Sequence, residues 1–247
     1  MNELEFVQHY SGSAGNLYTV ESVNGRRLVI ECGVRWPKML EALGYQLDNV
    51  DGCLLSHEHK TDHAKAVDDV IGSGVQMYMS EGTRDALGLN VNPFVTTVPK
   101  DKCYDLSDTF MVLPFFVHHD AADPVGWLIY EKPTKEWLYF SVDSSHLTNQ
   151  FNRREFSIIA IEVNYDIRLL EWNLDNGFVH QELAKRILYY HAEKETTAEY
   201  IRRFLPLKKC REIHLLHCSE GNLDKAGAVK EFERKFFVPI KVKGVNV

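Results

Sequence analysis

Seven consecutive residues, His57-Glu58-His59-Lys60-Thr61-Asp62-His63, hold three histidines and an aspartate directly after the apolar run Val50-Asp51-Gly52-Cys53-Leu54-Leu55-Ser56. Imidazole and carboxylate are the side chains that borderline divalent metals prefer. His57 and His59 are two apart, so in an extended chain leaving a strand both point to one side. Asp62 stands where aspartate commonly caps a helix, and Ala64-Lys65-Ala66-Val67 predicts a helix from Asp62 to about Ile71. A strand end, a short loop and a helix start would then aim His57, His59, Asp62 and His63 at one spot. A polar loop with chance histidines is the weaker alternative.

A chain of 247 residues is long enough to bury a sizeable core, in one large domain or two small ones. No Pro/Gly/Ser linker, long charge run or internal repeat divides it, so one domain over residues 1–247 is expected. No stretch approaches the roughly 20 apolar residues needed to span a bilayer, and no membrane partner is expected. Met1-Asn2-Glu3-Leu4-Glu5 lacks the basic-then-apolar layout of a signal peptide. The five cysteines (Cys32, Cys53, Cys103, Cys210, Cys218) form no CxxC pair. They read as reduced core or near-core thiols of a cytoplasmic protein. The formal charge of −7 argues against a surface that grips nucleic acid over a wide area. It does not exclude a nuclease, because bound divalent cations add positive charge that a residue count misses.

Apolar periodicity predicts strands at Leu4–His9, Asn16–Glu21 and Arg27–Cys32, a helix at Trp36–Leu43, and a strand ending at Ser56. The helix from Asp62 follows, then a strand at Val75–Met79 and a helix at Gly82–Leu87. The second half predicts strands at Thr109–Val117, Val125–Tyr130, Trp137–Val142 and Ser157–Glu162, with helices at His180–Tyr189 and Thr196–Phe204. Strand Glu212–His217, helix Leu223–Phe236 and strand Ile240–Val242 close the chain. Strand blocks with helices between and after them, twice over, imply a mixed α/β protein with sheets packed face to face.

Three more polar residues follow or end apolar strands. His118-His119-Asp120 follows Phe110–Val117, Asp143 ends Trp137–Val142, and His217 ends Ile213–Leu216. A charged or imidazole group at the end of a buried strand is costly unless paired or coordinated. Together with the first cluster they make a dinuclear ligand set.

With these residues stand Ser11-Gly12-Ser13-Ala14-Gly15-Asn16, Leu28-Val29-Ile30-Glu31-Cys32-Gly33, His119-Asp120-Ala121-Ala122-Asp123-Pro124-Val125-Gly126, Ile161-Glu162-Val163-Asn164-Tyr165-Asp166 and Leu216-His217-Cys218-Ser219-Glu220. Over almost its whole length the chain resembles the metallo-β-lactamase superfamily. More narrowly it is similar to the bacterial and phage hydrolases of the WalJ (YycJ) type, relatives of DNA- and RNA-cleaving members. The resemblance implies a four-layer αββα sandwich with a site for two divalent ions, zinc or manganese foremost. It implies that His57, His59 and His119 hold one ion, that Asp62, His63 and His217 hold the other, and that Asp143 bridges them. Asp62 would also be catalytic, as would His191, a proton donor oriented by Glu162. Three departures stand out. Lys60 and Thr61 fill a gap where the family has one residue, Glu31 replaces an aspartate, and Ala192-Glu193 after His191 lacks the usual hydroxyl.

The function implied is a metal-dependent phosphodiesterase with nucleic acid as its substrate. A thioester, lactone or amide hydrolase on the same site is the nearest rival, and a metal-binding protein with a degraded site the more distant one. His57-Glu58 does not begin a helical HExxH site, because position 61 is Thr. The Ser11–Asn16 loop lacks a phosphate-loop lysine and reads as a plain turn. His118 is expected to face solvent or a neighbouring side chain. Cys218 is set apart from the other cysteines only by its neighbour His217, and His9, His146, His180 and His214 carry no partner pattern.

Overall fold

The computed structural model describes residues 3–245. Its first elements are β1 (Glu5–Tyr10), β2 (Leu17–Glu21), β3 (Arg27–Ile30), α1 (Trp36–Ala42), β4 (Val50–Leu54), α2 (Val67–Gly72), β5 (Met77–Met79), α3 (Glu81–Ala86) and β6 (Val95–Thr97). Then come β7 (Tyr104–Asp105), β8 (Phe110–Phe116), β9 (Val125–Glu131), β10 (Glu136–Ser141) and β11 (Ile158–Glu162). The last elements are α4 (Ile167–Asp175), α5 (Gln181–Tyr190), α6 (Lys194–Phe204), β12 (Glu212–Leu216), α7 (Lys225–Phe236) and β13 (Ile240–Val242). The chain divides into two compact units. One comprises the residues up to Phe116 with Ala121–Trp137, and the other Val117–Asp120 with the residues from Leu138 on.

In the first unit β1 to β6 form a sheet in sequence order. The pairs β1–β2 and β2–β3 are antiparallel, and β3 to β6 pair in parallel. Parallel neighbours need a crossover, and α1, α2 and α3 each supply one. Leu17, Val29, Cys53, Met77 and Met79 from the strands bury against Met39 and Leu43 around α1 and Val67 and Val70 of α2. Burial of each such aliphatic side chain contributes roughly 1.5–3 kcal/mol. The same unit holds the antiparallel pairs β7–β8 and β8–β9. Gly126 on β9 lies under the Phe115 ring, 2.3 Å from where a Cβ would stand, so a side chain there would displace the aromatic.

In the second unit β10, β11, β12 and β13 form a parallel ladder. Ile158, Ile159, Ala160 and Ile161 are fully buried, the continuous apolar run expected of a parallel strand covered on both faces. Helices α4, α5 and α6 join β11 to β12, and α7 joins β12 to β13. Tyr165, Leu170, Ala184 and Ile187 pack α4 onto α5. Asp224 caps α7 by accepting from the Gly227 amide at 3.0 Å.

The structure corrects the sequence reading in four places. The helix expected from Asp62 begins only at Val67, and Asp62 caps nothing. The Asp62 carbonyl accepts instead from the Asn16 amide at 2.8 Å, the His63 carbonyl from the Cys32 amide at 2.9 Å, and the Ala66 amide donates to the Cys32 carbonyl at 2.9 Å. Groups a helix would use are thus spent on strand neighbours. Helix α4 and the short strands β6 and β7 are additional to the elements expected. Cys103 is exposed, whereas Cys32, Cys53 and Cys218 are buried. No described helix is long and apolar enough to cross a membrane.

Candidate metal centre

The end of β4 delivers the first cluster within the first unit. Ser56 and His57 are buried, and the serine hydroxyl meets His57 Nδ1 at 2.8 Å. That contact turns Nε2 of the same ring toward His59, whose Nδ1 lies 3.1 Å away. The His57 ring also stands 4.2 Å from the ring of His63. Two imidazole nitrogens at this spacing either share one proton or share a cation. The edge of a tetrahedral zinc site with bonds of ~2.0–2.1 Å is about 3.3 Å long. The donor set therefore fits a divalent metal.

The extra residue before Asp62 is taken up in a wide turn. The amides of His63 and Ala64 both donate to the His59 carbonyl, at 3.0 and 2.9 Å. Asp62 and His63 stay together, with Asp62 Oδ2 3.6 Å from His63 Nε2. Glu31, where an aspartate was expected, sets its Oε2 3.1 Å from His63 Nδ1, both side chains fully buried. Its other oxygen accepts from the Ser56 amide at 3.2 Å. Glu58 is no part of this cluster: it accepts from the Ala122 amide at 2.7 Å. Asp123 is likewise structural, since it pairs with Lys100 and its carbonyl accepts from Ser80 at 2.6 Å. The His119–Gly126 motif thus mixes one candidate ligand with residues that fasten the start of β9.

The second cluster lies within the second unit, around Asp143 at the end of β10. His119 Nε2 is 3.7 Å from Asp143 Oδ2, and its Nδ1 lies 3.3 Å from the Tyr190 carbonyl. His191 Nδ1 and His217 Nδ1 lie 3.3 and 3.2 Å from Asp143 Oδ1. Glu162 reaches His191 Nδ1 at 2.8 Å and His217 Nδ1 at 3.4 Å, while its second oxygen accepts from the Ser144 amide at 2.7 Å. Asp143, Glu162, His191 and His217 together form a group able to hold a metal ion.

Burial shapes the charges here. It pushes the His119 imidazole below its ordinary value, more than Asp143 and Asp120 raise it, and a neutral ring is what a metal ligand needs. At His191 burial works the same way, but the Glu162 and Asp143 carboxylates outweigh it and hold the ring up to about 10. Burial alone would raise Glu162, yet His191 and His217 bring it below the usual carboxylate range. The buried Cys218 thiol is pushed up to about 12, so it supplies no thiolate nucleophile.

Three site residues have left-handed backbone without being glycine: Glu31 (φ 63°), Asp143 (φ 47°) and His217 (φ 48°). Each stands just past the end of a strand, β3, β10 or β12. Such geometry re-aims a side chain at a cost and concentrates at functional sites.

All nine sequence candidates fall in these clusters. The first unit gathers His57, His59, Asp62 and His63, and the second gathers His119, Asp143, Glu162, His191 and His217. His118 is exposed and hydrogen-bonds Ser145 at 3.1 Å. Sequence reasoning missed two buried asparagines. Asn16 contacts His63, and Asn164 donates to the His217 carbonyl at 2.8 Å. Both lie in motifs already singled out, which was the only available signal.

No family model matches the chain. Among curated proteins, the anti-Pycsar protein Apyc1 of Bacillus phage 010DV004 is 47% identical over 55 residues, and that of Bacillus phage vB_BveM-Goe7 is 40% identical over 55. Each match covers 22% of this chain and 21% of the relative, so the likeness spans about a fifth of their length. Solved structures match throughout. Zn(2+)-bound PqqB from Methylobacterium extorquens superposes with a TM-score of 0.71 at 12% identity, covering 97% of this chain and 98% of that one. Igni18, a metallo hydrolase from the archaeon Ignicoccus hospitalis, gives 0.65 at 11%, covering 97% and 95%. The short form of human tRNase Z gives 0.61 at 13%, covering 96% and 95%. At these identities the likeness establishes the fold and leaves the substrate open.

Proposed function

We propose, for a chain with the metallo-β-lactamase fold of these hydrolases, that it is a metal-dependent phosphodiesterase. His57, His59 and His119 would hold one divalent ion, Asp62, His63 and His217 a second, with Asp143 between them. Zinc and manganese both suit imidazole and carboxylate donors. Two ions held there would acidify a water and offset charge on the scissile phosphate.

The observation that carries this reading is the buried Glu162–His191 pair at 2.8 Å beside Asp143. A carboxylate that grips one face of an imidazole fixes the ring and favours its protonated form. His191 so held can protonate a leaving alkoxide, a need sharper for a phosphodiester than for a thioester. His191→Ala should keep the metal and lower turnover about 10²–10⁴-fold, the contribution of a general acid. Metal analysis of that variant checks the assignment, since loss of metal would make His191 a ligand.

The first substrate class is a nucleic acid, in keeping with the WalJ-type resemblance. The 55-residue likeness to the phage anti-Pycsar proteins favours a second, a cyclic nucleotide, hydrolysed by the same chemistry. DNA and RNA oligonucleotides, cyclic nucleotides, thioesters and lactones assayed side by side with Mn²⁺ and Zn²⁺ test both. Phosphodiester cleavage is expected, and turnover of carbonyl esters alone would overturn the reading. Elemental analysis after reconstitution should give close to two ions per chain, because seven candidate ligands exceed what one tetrahedral ion needs.

A further inference from the structure

We infer that Asn16 is a positioning residue for His63, and that the glycine-rich Ser11–Asn16 loop exists to bring it there; this rests on the metal-binding reading of His63. Asn16 is fully buried, and its hydrogen-bonding groups are all engaged. The backbone amide donates to the Asp62 carbonyl at 2.8 Å, and the backbone carbonyl accepts from Gly33 at 2.9 Å. Side-chain Oδ1 accepts from the Gly12 amide and the Tyr18 hydroxyl, both at 2.9 Å. Side-chain Nδ2 donates to the Asp62 carbonyl at 3.1 Å and reaches His63 Nε2 at 3.0 Å.

The orientation of the carboxamide is determined by these partners. Exchanging its oxygen and nitrogen would set oxygen against the Asp62 carbonyl and an NH₂ group against the Gly12 amide. With Nδ2 as donor, His63 Nε2 must accept, so the ring proton sits on Nδ1. Nδ1 faces the Glu31 carboxylate at 3.1 Å, which can only accept while it is ionised. Asn16 and Glu31 therefore ask for the same tautomer from opposite sides of one buried ring. That tautomer leaves the Nε2 lone pair directed at the amide hydrogen, the place an incoming cation would take.

Glycine makes this approach feasible. A Cβ on Gly33 would lie 1.7 Å from the Asp62 carbonyl oxygen. Gly15, at φ 149°, would place one 2.6 Å from the Gly33 carbonyl. The motif is thus a close backbone contact that seats one amide, with no need of a bound phosphate to explain it.

The test combines metal titration with nitrogen NMR of the histidine rings. In the wild-type protein before metal is added, ¹⁵N shifts should show His63 protonated on Nδ1 alone. Asn16→Asp, which puts an acceptor against Nε2, should move the proton to Nε2. Asn16→Ala should weaken Zn²⁺ or Co²⁺ binding about 10–100-fold, the usual cost of losing an outer partner. A wild-type His63 protonated on Nε2 would overturn the inference, as would an Asn16→Ala protein that melts earlier yet binds metal unchanged. If the wild type binds no divalent ion, the phosphodiesterase reading falls, and the NMR result still decides the tautomer. The wild-type spectrum also serves if Asn16→Ala fails to fold.

Discussion

Asp143→Asn is expected to abolish turnover, to below ~10⁻³ of wild type, and to release at least one metal ion. The expected loss exceeds the 10–100-fold typical of an outer partner, because this carboxylate is proposed to serve both ions. Asparagine is the informative replacement. The residue has left-handed backbone at φ 47°, a conformation Asn and Asp tolerate better than other side chains. Asp143→Asn therefore removes charge while sparing the turn. Asp143→Ala should be equally inactive but less stable. Turnover and metal content measured on both variants, beside their melting curves, separate the two effects. Retention of both ions by Asp143→Asn would remove the bridging role.

Gly33→Ala should be the most damaging single methyl addition in the first unit. The new Cβ would stand 1.7 Å from the Asp62 carbonyl oxygen and 2.8 Å from the Asn16 amide nitrogen. These are backbone atoms that cannot rotate away. Overpacking of this kind costs roughly 3 kcal/mol or more. For a chain of this size that lowers Tm by about 6–12 °C. The loop that carries Asp62 and His63 must shift to admit the methyl, so metal affinity should fall with stability. Gly72→Ala is the control, since nothing lies within 4 Å of its Cβ position and its φ is not positive. In α2 that change should leave Tm unchanged or raise it slightly. Thermal melts of the two variants decide the matter, and equal melting points would mean the contact at Gly33 is soft.

The fold was legible wherever local pattern and tertiary partner agree. Val50–Leu54 and Ile158–Glu162 are apolar runs that could only be buried. Helix α7 carries its own start signal, Asp224, and ends close to where its periodicity fails. The short strands β6 and β7 had no such signal, because pairing with β5 and β8 makes them strands. For α4 a signal existed and was missed: Asp166 caps it by accepting from the Arg168 amide at 2.9 Å. The false start of α2 at Asp62 has a different origin. The groups that withdraw this segment from a helix belong to Asn16 and Cys32, which no local window includes. The candidate ligands were visible because histidine and aspartate are rare at strand ends. Their supports, Asn16, Glu31 and Asn164, act on rings 32 to 53 positions away, and only folding reveals which ring each one holds.

Glu31, Asp143 and His217 all take left-handed backbone, which costs an L-residue about 1–2 kcal/mol. Glycine would release that cost at each position and would also delete the side chain. At these three points robustness and chemistry pull in opposite directions. A library screened only for heat tolerance should therefore accumulate glycine there and yield sturdier proteins with an emptied catalytic centre. Engineering this scaffold for endurance requires selection for turnover at the same time.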